Sequence, residues 1–231
     1  MPDMLIWIAW LLGAYLLGAV SFALILGRLN GINIREHGSG NVGATNLGRA
    51  LGKKWGIICF LLDLGKGLGP VLAYGFWSGL IAAGEEPIGY VEMLKWLAVG
   101  VAAVVGHVFP VFLKFKGGKG VATSAGALLG FWPVLSVPAL AAGVVWFVVT
   151  KATAYVGLAS VIAAAVLPVF VVGFALLLGY GPDEIAVCGG VSALLAALVI
   201  VRHRSNLARL RAGTEGKVDW AQGKKDSSEQ S

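Results

Sequence analysis

The stretch from Val121 to Thr150, VATSAGALLGFWPVLSVPALAAGVVWFVVT, has no charged side chain, and its reading decides the fold of the chain around it. A helix crossing the ~30 Å hydrocarbon core needs about 20 residues, so this run is long for one crossing and short for two. Parity decides how it is counted. Before it, Lys114, Lys116 and Lys119 crowd a glycine loop. After it, two clear apolar runs, Val156 to Leu178 and Ile185 to Val201, end in Arg202, Arg204, Arg209, Arg211 and Lys217. Loops rich in Lys and Arg stay on the cytoplasmic side. For both basic segments to lie there, Val121 to Thr150 must cross twice or form a re-entrant hairpin, with the break near Pro133 and Pro138.

Toward the N-terminus the same alternation continues. Met4 to Gly27 is an apolar run that follows Asp3 and ends at Arg28. It lacks the basic leader and small-residue cleavage site of a signal peptide, so it counts as the first span, with the N-terminus outside. Leu29 to Lys54 is polar, with Arg28, Arg35, Arg49, Lys53 and Lys54 against Glu36 alone, which makes it cytoplasmic. Trp55 to Leu80 runs outward. An acidic external loop with Glu85, Glu86 and Glu92 against Lys95 follows, and Met93 to Leu113 returns to the glycine loop. The expectation is an all-α polytopic membrane protein: a seven-transmembrane-helix bundle with its N-terminus out and C-terminus in. Residues 1–216 form one transmembrane domain and 217–231 a hydrophilic, disordered tail. A five-span core with a re-entrant hairpin has the same parity.

Composition agrees. With 58% hydrophobic and 13% charged residues, the chain is outside the range of soluble domains. The net charge of +6 sits at the ends of apolar runs, where it orients a membrane protein rather than holding nucleic acid. Cys59 and Cys188 lie far apart in apolar runs and read as small buried residues without disulfide or metal spacing. The 34 glycines, among them Gly65, Gly67, Gly69, Gly189 and Gly190, allow helix backbones to approach closely.

The polar chemistry falls on the inner side, in three segments. Phe115 to Thr123, FKGGKGVAT, is a basic glycine loop opening a helix at Val121. Gly117, Gly118 and Gly120 free the backbone to turn N–H groups toward one point, Lys119 adds a charge, and the helix dipole aims at the same place. This suits a phosphate but departs from a nucleotide P-loop, because Gly120 rather than Ser or Thr follows Lys119. The second segment is Gly38 to Asn46, GSGNVGATN, in which Thr45 or Asn46 is expected to cap a short helix carrying Arg49 on its first turn. The third is Arg202 to Leu210, RHRSNLARL. Its arginines suffice as a stop-transfer cluster, but His203 and Asn206, three apart on one helix face, bear no orienting charge. Inside the spans, Asp63 and Lys66 are spaced for an ion pair that fixes the second span and borders the site. His107 reads as a hydrogen-bonded packing residue and Ser160 as a serine bonding its own helix.

These three segments, in this order, resemble the cytoplasmic motifs of the PlsY family of acyl-phosphate:glycerol-3-phosphate acyltransferases. The likeness extends to Asp63-Leu64-Gly65-Lys66-Gly67 and Gly106-His107-Val108-Phe109-Pro110 and covers nearly the whole chain. The resemblance implies a seven-helix enzyme of the bacterial inner membrane, active at the cytoplasmic face. It moves a fatty acyl group from acyl phosphate to the 1-hydroxyl of glycerol 3-phosphate, giving lysophosphatidate and inorganic phosphate, the first step of phospholipid assembly. By position within the motifs it implies Ser39, His203 and Asn206 as catalytic residues. Arg49, Gly117, Gly118, Lys119, Gly120 and Ser160 are implied as substrate- and phosphate-binding residues. One departure is Gly157, where a serine is common in the family. An acyl phosphate is already an activated mixed anhydride, so no metal, cofactor or acyl-enzyme is required. The partners implied are the two substrates, membrane lipids, and the enzymes that make acyl phosphate or use lysophosphatidate.

Two rivals follow from the same residues. A transporter of a phosphorylated solute would line its path with Asp63, Lys66 and His107, but the polar segments sit on one side and no inverted repeat is visible. An acyl-CoA-dependent acyltransferase would carry a His-x-x-x-x-Asp signature, whereas Val42, Phe112 and Ala208 stand five residues beyond His37, His107 and His203.

Overall fold

A computed structural model describes residues 2–81 and 88–218. The helices among them are α1 (Pro2–Gly18), α2 (Phe22–Leu29), α3 (Ala44–Leu51), α4 (Lys53–Trp77), α5 (Tyr90–Val108), α6 (Val121–Leu129), α7 (Ser136–Thr153), α8 (Val156–Leu177), α9 (Pro182–Arg202) and α10 (Arg204–Arg211). Glu85 and Glu86 of the expected acidic loop, and the tail beyond Val218, lie outside the described residues.

Six segments among the described residues are long and apolar enough to cross a membrane: Asp3–Leu29, Lys53–Trp77, Tyr90–Leu113, Ser136–Thr153, Val156–Leu177 and Pro182–Arg202. Against the seven spans expected, the described residues hold six of full length. The stretch Val121 to Thr150 yields only one of them, because α6 has 9 residues and reaches about 14 Å, half the hydrocarbon core. It then turns through a cis Trp132–Pro133 bond, and Ser136 donates its hydroxyl to Leu129 O at 3.0 Å where α6 ends. Composition misleads here for a physical reason. A helix apolar on every side is enclosed either by lipid or by protein, and α6 is buried in the protein at Thr123, Ser124, Gly126, Ala127 and Leu128. It is pressed onto α4, where a Cβ on Gly126 would stand 1.9 Å from Leu64 O and one on Gly67 2.1 Å from Thr123 O.

The first span is also broken. Between α1 and α2 the helix is interrupted at residues 19–21, which leaves the Val20 carbonyl without its helical partner. Lys66 fills the gap, donating to Val20 O at 2.6 Å while its ammonium pairs with Asp63 at 2.9 Å. The ion pair expected from the spacing is thus present and buried, and its lysine also mends the backbone of a neighbouring helix. His107 Nδ1 lies 3.7 Å from Asp63 Oδ1 on the other side. Cys59 and Cys188 are buried free thiols.

The two ends of the bundle differ. One carries an aromatic cluster of Trp10, Tyr74 and Trp77 with ring centroids 5.7 to 5.9 Å apart, as suits a membrane–water interface. The other gathers α3, the glycine loop, α10 and residues 214–218.

Candidate active site

Loop 34–43 is shaped from within by Asn46, 2% exposed. Its amide nitrogen donates to Ile34 O, His37 O and Asn41 O, and its oxygen accepts from the Ser39 N–H at 3.0 Å. Asn46 is therefore the post around which the first polar segment wraps, not a cap. Gly43 occupies the N-cap of α3, and Arg49 lies in the last turn of that helix rather than the first. This wrapping brings both Ser39 and Arg49 to the wall of a cavity.

The glycine loop follows a different logic from the one its sequence suggests. The Gly117 and Gly118 N–H groups are spent on Val108 O and His107 O, at 3.2 and 3.1 Å, so neither is turned toward a ligand. Their small size is what matters. A Cβ on Gly117 would stand 2.1 Å from His107 O, and one on Gly118 2.1 Å from His107 Nε2. Their carbonyls are held by Arg202, whose guanidinium donates to Gly117 O at 3.1 Å and Gly118 O at 3.2 Å. Gly120, at φ +84°, makes the left-handed turn into α6. From Lys119 onward, the N–H groups of Lys119, Gly120, Val121, Ala122 and Thr123 have no backbone acceptor among the described residues. The donor nest sits one step later than the glycines indicate, at the start of α6.

Around that helix start lies a cavity of about 260 Å³. Lys119, Arg49, Ser39, His203, Asn206 and Ser160 all line it, so segments more than 150 residues apart in the chain converge on one space. Lys119 donates its ammonium to Asn206 Oδ1, and Asn206 Nδ2 donates to Glu215 Oε1 at 2.7 Å. Glu215 also accepts from Arg209 Nε at 2.7 Å. The Asn206 amide is thereby fixed with its oxygen toward the cation. Ser160 donates to Val156 O at 2.8 Å and accepts from Trp146 Nε1 at 3.1 Å, which aims its remaining lone pair. Gly157 gives Asn206 its room, since a Cβ there would stand 2.8 Å from Asn206 Nδ2.

His203 sits at the joint between α9 and α10, 3% exposed. Its Nδ1 is 2.8 Å from Val199 O, a pure acceptor, so Nδ1 carries the proton and Nε2 keeps its lone pair. Burial is the main influence on the ring and lowers its pKa to about 4, with Lys119 and Arg202 adding to the effect, so it is neutral at ordinary pH. Burial likewise lowers the Lys119 pKa to about 8, and Arg209, Arg49 and Arg202 reinforce it.

Sequence reasoning passes over two contributors. Ser124, 6% exposed, lines the cavity one turn into α6 with a hydroxyl that has no partner. Glu215 belongs to a segment taken as the edge of a free tail, yet Gly213 at φ +70° turns the chain back, Arg49 donates to Gly216 O at 2.6 Å, and the Val218 N–H reaches Ala154 O at 3.0 Å. The available signal was a lone carboxylate after a helix-ending glycine in an otherwise basic stretch. Away from the polar end, the cavity continues between α6, α7, α8 and α9 past Leu128, Ala142, Ala164, Leu167 and Leu195, all apolar.

A helical bundle apolar enough to cross a membrane here joins a cation- and N–H-rich pocket to an apolar groove, the architecture of an integral membrane protein. A profile of glycerol-3-phosphate acyltransferase matches residues 8–213, and the chain belongs to that family of acyltransferases. It is 44% identical over 209 residues to a glycerol-3-phosphate acyltransferase of Trichlorobacter lovleyi, covering 90% of this chain and 95% of that one. To the enzyme of that name from Bacillus cytotoxicus it is 42% identical over 218 residues, covering 93% and 96%. Crystal structures of PlsY, an integral membrane glycerol 3-phosphate acyltransferase, superpose with a TM-score of 0.74 in the glycerol 3-phosphate form and 0.72 in the lysophosphatidic acid form. Both are 36% identical, and the first covers 92% of this chain and 95% of that one. Membership of this family sets the transporter reading aside.

Proposed function

We propose that the enzyme transfers a fatty acyl group from acyl phosphate to the 1-hydroxyl of glycerol 3-phosphate, releasing lysophosphatidate and inorganic phosphate at the cytoplasmic face of the cell membrane. The observation that carries this reading is the single cavity with an anion-holding end and an apolar end, which matches a donor whose phosphate is attached directly to a fatty chain. Residues 1–216 act as one catalytic unit. The short α6 and its return through α7 count together as an outward and an inward crossing, which leaves the N-terminus outside and the C-terminus inside.

In this scheme the acyl chain lies along Leu128, Leu167 and Leu195, where each buried methylene contributes about 0.8 kcal/mol. Arg49, Lys119 and the α6 N–H groups hold the two phosphates. The 1-hydroxyl oxygen attacks the acyl carbon, the C–O bond to phosphate breaks, and the carbonyl oxygen, negative in the tetrahedral state, is met by the α6 N-terminus and the unpartnered Ser124 hydroxyl. Ser160 and Ser39 orient the glycerol, and Asn206 positions Lys119. A histidine of pKa about 4 is a poor proton acceptor at pH 7. The hydroxyl proton therefore passes to the phosphate of glycerol 3-phosphate, whose second pKa is about 6, while His203 Nε2 accepts a hydrogen bond.

The test is a metal-free assay of the detergent-purified protein with labelled glycerol 3-phosphate and either palmitoyl phosphate or palmitoyl-CoA. Lysophosphatidate is expected from the phosphate donor alone. Product from palmitoyl-CoA at a comparable rate would overturn the donor assignment. In the same assay Ser124→Ala is expected to lower kcat by about 10- to 100-fold with little change in KM for glycerol 3-phosphate. Wild-type kcat in that variant would remove Ser124 from the oxyanion site. His203→Gln keeps a hydrogen-bonding group at that depth and is expected to retain more than a tenth of the turnover, whereas a histidine base predicts loss by about 10³-fold or more.

A further inference from the structure

Beside the catalytic cavity, at the same end of the bundle, lies a second cleft of about 510 Å³. One side is cationic. Arg202 and Arg204, from the junction of α9 and α10, face Arg35 and Lys116 from the two loops opposite. No carboxylate among the described residues lies within ion-pair distance of these four: Glu215 pairs with Arg209, and Glu36, beside Arg35 in the chain, accepts from Asn33 Nδ2. Arg35 donates to Lys116 O at 2.9 Å and Arg202 to the Gly117 and Gly118 carbonyls, bonds that fix the guanidinium groups in place without neutralising them. The other side is apolar and partly exposed. Phe109 stacks against Arg202, whose Cζ is 5.8 Å from the ring centroid. Leu198 continues that wall, and Val201 is 58% and Phe115 59% exposed.

The cleft and the catalytic cavity meet at Ser39, Asn41 and Lys119, which line both. Lys119 thus belongs to both spaces, and an anion held by it borders the cations of the cleft. A soluble phosphate would have no use for the apolar wall, and an uncharged lipid no use for the cations. The cluster of unneutralised cations suits a phosphomonoester dianion better than the single charge of a phosphodiester.

We propose that this cleft is a second binding site, for a monoacyl phosphomonoester: the lysophosphatidate formed next door, its head group among Arg35, Lys116, Arg202 and Arg204 and its chain along Leu198 and Val201 toward the bilayer. The inference rests on the proposed reaction. The cleft lets the product clear the cavity before the next donor enters, and it makes product inhibition a property of residues outside the catalytic cavity.

The experiment is native mass spectrometry of the purified protein titrated with palmitoyl lysophosphatidate, beside the wild-type turnover assay on the same preparation. The wild type is expected to bind two molecules, and Lys116→Glu combined with Arg204→Glu only one. The same double variant is expected to weaken product inhibition about tenfold or more, from reversal of two interfacial charges, while the initial rate and the KM for glycerol 3-phosphate stay within about twofold. One lysophosphatidate on the wild type, or two on both proteins, overturns the proposal. Occupation of the second site by dioleoyl phosphatidylglycerol as readily as by lysophosphatidate, or by inorganic phosphate alone, overturns the assignment to a monoacyl phosphomonoester. Absence of acyl transfer in the turnover assay would instead count against the reaction itself.

Discussion

Lys119→Ala is expected to lower kcat/KM for glycerol 3-phosphate about a thousandfold, equivalent to about 4 kcal/mol of transition-state stabilisation. The ammonium is enclosed by the cavity wall and surrounded by Arg209, Arg49 and Arg202, so in the empty site it is held at a cost, with a pKa brought down to about 8. A phosphate dianion reverses that balance, since the same burial that penalises the lone cation strengthens its pairing with an anion. Because removing the ammonium also relieves repulsion among cations, the variant should melt within a few degrees of the wild type, which separates loss of catalysis from loss of fold. The sign of the pH dependence follows. Above the second phosphate pKa of about 6 the substrate no longer changes charge. A fall in kcat/KM as pH rises through about 8 then reports the free enzyme losing the Lys119 proton. Lys119→Arg keeps its charge throughout and should move that alkaline limb upward, even if the bulkier guanidinium lowers the plateau. Activity within tenfold of wild type in Lys119→Ala would shift the anion-holding role to Arg49 and Arg209.

The spans were legible because hydropathy and flanking charge report on a bilayer directly, and the Asp63–Lys66 pair because an i, i+3 spacing is local. What escaped depended on contacts no local pattern encodes. Val121 to Leu129 has the composition of a lipid-facing helix, and only the approach of Gly126 to Leu64 O identifies it as interior. Gly117 and Gly118 are ambiguous in the sequence, because glycine serves both to turn N–H groups outward and to admit a neighbour. Here the neighbour is His107. Asn46 resembled a cap since caps and loop posts use the same amide, and the outcome depends on the path of residues 34–41. The return of Thr214 to Val218 over the site is set by contacts such as Arg49 to Gly216, 167 residues apart. The residues that converge on the cavity were legible because Gly, Lys, Arg, Ser, Asn and His are concentrated in segments that an apolar chain otherwise has little reason to contain.

Gly118→Ala should be nearly as damaging as loss of Lys119, by a route that never touches substrate. The added Cβ would stand 2.1 Å from His107 Nε2 and 2.8 Å from Cε1, and the imidazole has nowhere to withdraw. Its Nδ1 faces Asp63 at 3.7 Å, Asp63 is bound to Lys66 at 2.9 Å, and Lys66 is anchored to Val20 O at 2.6 Å. The loop must yield instead, which draws Lys119 and the α6 N–H groups off the cavity. Overpacking of this kind costs about 1–3 kcal/mol of stability, and a misplacement of about 1 Å in a positioned group costs about 10² in rate. The expectation is therefore a kcat/KM at least a hundredfold down in protein that still purifies folded. Gly190→Ala, where an added Cβ meets nothing within 4 Å, should be silent. The decisive variant adds His107→Ala to Gly118→Ala. If the loop is displaced by the imidazole, the double variant regains at least tenfold over Gly118→Ala, a coupling between two residues in direct contact. If the two losses simply add, His107 is not the wall against which the glycine loop is set, and Gly118 is needed for its own backbone conformation.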